Sequence, residues 1–234
     1  MHTVGDEVTS LCNLQATGRQ FPSPPTGLRL ELRRDEDDFC PGMKNFRDRA
    51  YYLPRLPRPF YQADATVHRT LTLFDRATGW LDEPFHARFR ELVLHSVVRE
   101  DLLCPAYCLM PDHIHLVWMG LRPNSDQLNG MAFLRTHLEP ALSPARFQPQ
   151  AHDHVLRKHE RNQDAFRTSI SYDLLNPVSK GLVQQPGDWP FSGCVVPGYP
   201  AMHPLSDSFW DVFRKLYQGQ RDPKCDEHIL PSLR

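Results

Sequence analysis

Four residues of the chain have the type and spacing to do chemistry together. In Met110-Pro111-Asp112-His113-Ile114-His115-Leu116-Val117-Trp118, strand alternation puts His113, His115 and Val117 on one face and Ile114, Leu116 and Trp118 on the other. The two imidazoles then sit with Cβ atoms roughly 6.5 to 7 Å apart, within reach of one shared cation if the rings converge. Taken alone, such a pair also occurs as ordinary surface or core histidines. The second pair is Tyr172 and Asn176, four residues apart and so on one helical face, with Pro177 expected to end the helix beside them. Tyr172 lies about 200° around the axis from Ile170, off the apolar stripe, and is expected to point at a site. A tyrosine hydroxyl has a pKa near 10 and is a poor nucleophile unaided, so a divalent ion is a sensible companion.

The elements that must position these residues can be read from periodicity. Regular structure is expected from about Ala63, where Val67, Leu71 and Leu73 alternate with Thr66, His68, Thr70 and Thr72 as in a half-buried strand. Asp82 is suited to cap a helix in which Phe85, Phe89, Leu92, Val93 and Val97 recur through about Arg99. Leu102–Met110 and His113–Gly120 read as two strands of an antiparallel hairpin. Asn124 or Ser125 is expected to open a helix along Leu128, Met131, Leu134, Leu138 and Leu142, stopped by Pro144. A short strand from His152 to Leu156 then completes a split β-α-β order. The fold expected is α+β, a ferredoxin-like sandwich whose antiparallel sheet carries its helices mainly on one face.

Beyond it, Asn162 to about Leu175 carries Phe166, Ile170 and Leu174 at helical spacing. Ser206 or Asp207 caps a denser stripe of Phe209, Trp210, Val212, Phe213, Leu216 and Tyr217, closed by Gly219. That stripe is expected against the domain's own sheet, with a contact between two copies as the alternative. A homodimer and a monomer both stay open. The expected division is an irregular extension over 1–61, a domain over 62–200 and a C-terminal amphipathic helix and tail over 201–234.

Four stretches in order resemble the signature of REP-associated tyrosine transposases, single-tyrosine members of the His-hydrophobe-His nucleases. They are Met110 to Leu116, Asp153-His154-Val155-Leu156-Arg157, Tyr172-Asp173-Leu174-Leu175-Asn176-Pro177-Val178-Ser179-Lys180-Gly181-Leu182-Val183, and Asp188-Trp189-Pro190-Phe191-Ser192. The resemblance implies that His113, His115 and Asn176 hold Mg²⁺ or Mn²⁺ and that Tyr172 attacks a DNA phosphate, giving a 5′-phosphotyrosine link and a free 3′-hydroxyl. It implies single-stranded, hairpin or palindromic DNA as the partner and a bacterial cytoplasm, close to the nucleoid, as the location. A protein that binds DNA hairpins without cutting them is the alternative. The chain departs from the pattern at Ser179, where the family usually has arginine, and at Gly193, where a second serine is common.

Composition narrows the classes further. The 234 residues are 40% hydrophobic and 24% charged, and no run approaches the ~18 apolar residues of a membrane helix. The N-terminus shows neither a basic nor an apolar leader region, so a reducing compartment is expected and the six cysteines are read as thiols. The net charge of -1 hides an arrangement: Met1 to Met43 is acidic on balance, while Lys44 to Gln62 mixes bases with Phe46, Tyr51, Tyr52, Phe60 and Tyr61. That second stretch suits either base stacking or a solvated, proline-rich arm. With few spare cations, affinity for random duplex should be modest and lost with salt. A nucleotide hydrolase of the histidine-triad type needs a third alternating histidine, and Val117 stands in its place.

Overall fold

The structure is a computed structural model that describes residues 55–157, 160–161 and 163–227. Residues 1–54, with Cys12, Cys40 and the aromatics Phe46, Tyr51 and Tyr52, lie outside the described residues, as does Asn162, the expected start of the third helix. The elements are β1 (Thr66–Thr72), α1 (Glu83–Arg99), β2 (Leu102–Met110), β3 (His113–Gly120), α2 (Gln127–Leu142), β4 (His152–Val155), α3 (Gln163–Ser179), β5 (Ser192–Val195) and α4 (Phe209–Gln220). The sheet runs β4-β1-β3-β2-β5, and every neighbouring pair is antiparallel. Its first four strands have the order of the split β-α-β sandwich that the sequence predicts.

The fifth strand was not legible, because Ser-Gly-Cys-Val is too short to show alternation. It is docked by the segment before it. Trp189 Nε1 donates to the Leu109 carbonyl at 2.9 Å, and the Leu109 amide donates to the Phe191 carbonyl at 2.9 Å. The Asp-Trp-Pro-Phe-Ser stretch is therefore used here to close a sheet edge. Gly193 is opposite Tyr107, and a Cβ placed on it would lie 2.8 Å from the Tyr107 hydroxyl, which is itself 2.9 Å from His86 Nε2. A serine at this position would collide, which accounts for the glycine. We expect Gly193→Ala to destabilise the fold by about 1–3 kcal/mol through overpacking, read as a lower urea midpoint at unchanged slope. An unchanged midpoint would show that Tyr107 can move aside.

The helices do not gather on one face, and here the expectation is corrected. Ile114, Leu116, Trp118 and Leu71 face α1 and α2, meeting Phe85, Phe89, Leu92, Val93, Val97, Met131, Leu134, Leu138 and Leu142. The opposite face carries Leu103, Ala106, Val117 and Met119 under Phe166, Ile170 and Leu174 of α3 and Phe209 and Phe213 of α4. The reason is the central β2, Leu-Leu-Cys-Pro-Ala-Tyr-Cys-Leu-Met, whose every residue is buried: an apolar run without alternation must be covered on both sides. The aromatic stripe of α4 supplies part of that second cover.

Local signals fix three of the helix ends, but α4 follows Ser208 rather than Ser206 or Asp207, with no side-chain cap, and runs through Gly219 to Gln220. The Asp82 carboxylate accepts from the Phe85 amide at 2.8 Å, as expected. The cap of α2 is Asp126 rather than Asn124 or Ser125. Its Oδ1 accepts from the Leu128 and Asn129 amides, while the Ser125 hydroxyl donates to the Asp101 carbonyl. Pro177 does not end α3, which continues to Ser179. Lying in the last turn, it removes a single donor, and the end is closed by Gly181 at φ +69°, with Gly181 N–H to Val178 O and Leu182 N–H to Pro177 O at 2.9 Å each.

Residues just before β1 are also committed inward. Phe60 and Tyr61 are buried with Ala65 and Val67, and Arg58 Nε donates to Asp126 Oδ2 at 2.7 Å. At this end of the basic stretch the aromatics are core residues and are not available for stacking on bases. Cys104, Cys108 and Cys194 are buried thiols; burial pushes Cys108 and Cys194 up to about 12, so neither is a reactive thiolate at neutral pH. No helix among the described residues is long and apolar enough to cross a membrane.

Candidate functional site

The site is assembled at the start of β3. Pairing with β1 sets Thr72 opposite His113, Thr70 opposite His115 and His68 opposite Val117, so the polar face of β1 lies beside both imidazoles. The two rings meet edge to face, with centroids 4.7 Å apart, and their Nε2 atoms are separated by 3.0 Å. Each Nδ1 has oxygen for a neighbour. His113 Nδ1 is 2.6 Å from Asp112 Oδ1, and Asp112 Oδ2 accepts from Arg76 Nη1 at 3.0 Å. His115 Nδ1 is 3.4 Å from Thr70 Oγ1 and 3.4 Å from Asp173 Oδ1.

Those partners assign the ring protons to Nδ1 in the neutral rings, which leaves two Nε2 lone pairs pointed at each other. Such an approach is repulsive unless a proton or a cation lies between them. Two donors about 2.1 Å from one ion at right angles are separated by roughly 3.0 Å, so the His113–His115 pair fits a small divalent cation. A carboxylate behind a ligating histidine is the usual arrangement for fixing its tautomer, and Asp112 stands in that relation to His113.

The electrostatics agree with a neutral His115. Burial holds the His115 imidazole down at about 4, with the neighbouring His113 and His68 adding to the effect and Asp173 opposing it. Burial would raise Asp112, but the His113 hydrogen bond and charge, then Arg76, outweigh it and hold the carboxyl below its usual range. His86, beside the Tyr107 hydroxyl, is likewise lowered to about 4 by burial and by Arg90. These two histidines set a pH dependence with a definite sign. Between roughly pH 6.5 and 4 the unfolded chain binds protons that the folded chain refuses, so stability is full above that window and falls as the pH is lowered through it. The metal-free protein should lose on the order of 2 kcal/mol or more between pH 7 and pH 4.5 in urea melts. A flat profile would show that the rings are not held neutral.

Helix α3 brings the remaining candidates. Tyr172 is 68% exposed, whereas Phe166, Ile170 and Leu174 are buried, so its place off the apolar stripe is as read from the sequence. Asn176 is buried, and its Nδ2 has no hydrogen-bond partner among the described residues. An unpaired amide NH2 calls for a hydrogen-bond acceptor, whereas a cation would be bound through the Asn176 Oδ1. The structure brings His113 and His115 together directly; Asn176 lies one turn beyond Asp173, which touches His115.

His68, Thr70, Asp112 and Asp173 were missed as site residues. His68 and Thr70 were already on the polar face of β1, but only the β1–β3 pairing shows what they face. Asp173 left a signal: it is three residues after Ile170 on the buried stripe, where a carboxylate needs a partner. It finds two, since Oδ2 is also 3.0 Å from His68 Nε2, whose ring stacks on His115 at 5.5 Å. His68, His115 and Asp173 each offer one ligand atom, all within 4.8 Å of one another. Val117 is buried in the core, which removes the position a third alternating histidine would need. Asp153 is likewise buried, 3.4 Å from Arg69 Nε, and serves the fold rather than the histidine pair.

No protein-family model matches the chain. The REP-associated tyrosine transposase of Escherichia coli strain K12 is 24% identical over 140 residues, 58% of this chain and 79% of that protein. A Haemophilus influenzae relative, described provisionally in the same terms, is 26% identical over 139 residues, 53% of this chain and 76% of its own length. Among solved structures, a REP-associated tyrosine transposase bound to a REP hairpin shares the fold. Its TM-score is 0.51 at 22% identity, over 73% of this chain and 89% of that one.

Proposed function

We propose that this homologue of the REP-associated tyrosine transposases is a DNA endonuclease and strand transferase that acts on single-stranded or hairpin DNA through Tyr172. The observation that carries the reading is the pair of Nε2 atoms 3.0 Å apart at the foot of β3, overlain by the helix that bears an exposed tyrosine. His113 and His115, with Asn176 as third donor, would hold Mg²⁺ or Mn²⁺. When bound, the ion would polarise the scissile phosphate and offset charge as it develops there.

The chain's own residues account for the rest. Asp112 keeps the His113 ring oriented with its Nε2 lone pair outward. Tyr172 stands clear of the core, where an incoming strand can reach it. Its oxygen attacks phosphorus in line with the departing 3′-oxygen: the new Tyr–O–P bond forms, the P–O3′ bond breaks, the phenolic proton leaves to solvent and the 3′-oxygen takes one up. The phosphodiester energy is kept in the phosphotyrosine link, so a later 3′-hydroxyl can reverse the step without ATP.

The relative seen with a REP hairpin supports a folded DNA stem as the substrate class. The test is incubation of the full chain with an end-labelled hairpin in Mg²⁺ or Mn²⁺, followed by a denaturing gel. A protein–DNA adduct is expected with either ion and none with EDTA. Hairpin retention in a native gel without adduct in either ion would replace this reading by that of a non-cleaving hairpin-binding protein.

A further inference from the structure

We propose that Asp173 is a positioning residue whose buried carboxylate ties the helix carrying Tyr172 and Asn176 to the histidines of the sheet. The inference rests on the reading that His113 and His115 hold a divalent cation, and it adds the part that keeps nucleophile and ligands in one register.

Asp173 follows Tyr172 directly, and a helix turns by about 100° per residue, so one side chain faces out while the next faces in. Exposure bears this out: Tyr172 is 68% exposed and Asp173 1%. The Asp173 carboxylate bridges two strands. Oδ1 is 3.4 Å from His115 Nδ1 on β3, and Oδ2 is 3.0 Å from His68 Nε2 on β1. Neither oxygen has an aligned hydrogen bond among the described residues, so the two imidazoles are what this buried group leans on. The rings of His68 and His115 are themselves stacked, which makes the contact a three-element clamp of β1, β3 and α3.

The clamp acts on ligand geometry. With Asp173 Oδ1 and Thr70 Oγ1 on one side of His115, its proton belongs on Nδ1 and Nε2 is left to face His113. The same side chains could be taken as a cation site in their own right, since one atom of each lies within 4.8 Å of the others. That use conflicts with the first: His115 has two nitrogens, Nε2 is directed at His113, and giving Nδ1 to a second ion would strip the ring of its last proton. Positioning keeps both nitrogens in roles that neutral imidazole can fill.

The test is Mn²⁺ affinity of the full chain without DNA, read by electron paramagnetic resonance, in wild type, Asp173→Asn, His68→Gln and His113→Ala. Asp173→Asn should weaken Mn²⁺ binding by about 10- to 100-fold, the usual loss when the partner of a ligating histidine is removed. It should leave hairpin binding in EDTA within about twofold. His68→Gln should lose less than about tenfold, because it removes one arm of the clamp and no ligand. Mn²⁺ affinity unchanged in Asp173→Asn overturns the proposal, and so does a lowered melting temperature with affinity intact, which would make Asp173 merely structural. A loss in His68→Gln as deep as in His113→Ala overturns it in favour of His68 as a ligand. If His113→Ala itself binds Mn²⁺ normally, the underlying cation reading has failed, and that outcome is distinct from all the others.

Discussion

Tyr172→Phe is expected to abolish the covalent protein–DNA adduct, a loss of at least about a thousandfold in cleavage, while leaving the fold and hairpin binding intact. The change removes one oxygen from a side chain that is already 68% exposed, so little packing depends on it. Melting temperature should be unchanged within error and the hairpin gel shift within about twofold. Cleavage should fail because phenylalanine has no oxygen to offer the phosphorus. An adduct that survives in Tyr172→Phe would sink the assignment of the nucleophile. The inactive variant should still bind Mn²⁺ like the wild type, since Tyr172 is not among the proposed ligands, and that separates loss of nucleophile from loss of metal.

The largest effect on stability is expected at the other side of the sheet. Arg69 is completely buried, its Nη1 donates to Gln127 Oε1 at 2.8 Å, and its Nε is 3.4 Å from Asp153 Oδ1. The guanidinium lies 5.5 Å from the Trp118 ring. Burial pulls its pKa down to about 10, with Asp153 opposing, so it stays charged at neutral pH. The Asp153 carboxylate is the nearest counter-charge inside, joined from the surface by Arg55 at 3.4 Å. Asp153→Ala should therefore cost about 3–5 kcal/mol, because it strands a buried cation. Arg69→Met combined with Asp153→Leu should recover much of that loss, since neither charge is then left alone. Urea denaturation of Asp153→Ala and of the double variant decides the point: a loss below about 1 kcal/mol in Asp153→Ala would show that water can solvate the guanidinium in place of the carboxylate.

The same buried pair shows what kinds of statement a sequence supports. Val67 and Leu71 could be placed on the core face of β1 by alternation, and Arg69 sits between them on that face. Nothing local says that an arginine there will be tolerated. What makes it tolerable is Asp153 on β4, directly opposite in the β1–β4 register, and Gln127 at the start of α2. The Asp-His-Val-Leu-Arg stretch supported the family resemblance, yet its aspartate is spent on this arginine.

The limits of α1, β2 and β3, the common face of His113 and His115, and the outward turn of Tyr172 were all legible in the chain itself. They depend on periods of two and 3.6 residues, which are properties of neighbours along the backbone. The tertiary structure decided which segments meet: that His68 and Thr70 lie beside His115, that Asp173 turns in to join them, that Phe60 and Tyr61 are buried, and that β2 is covered on both faces. Those outcomes depend on the order of strands in the sheet and on the register of pairing between distant segments, for which a local pattern carries no information.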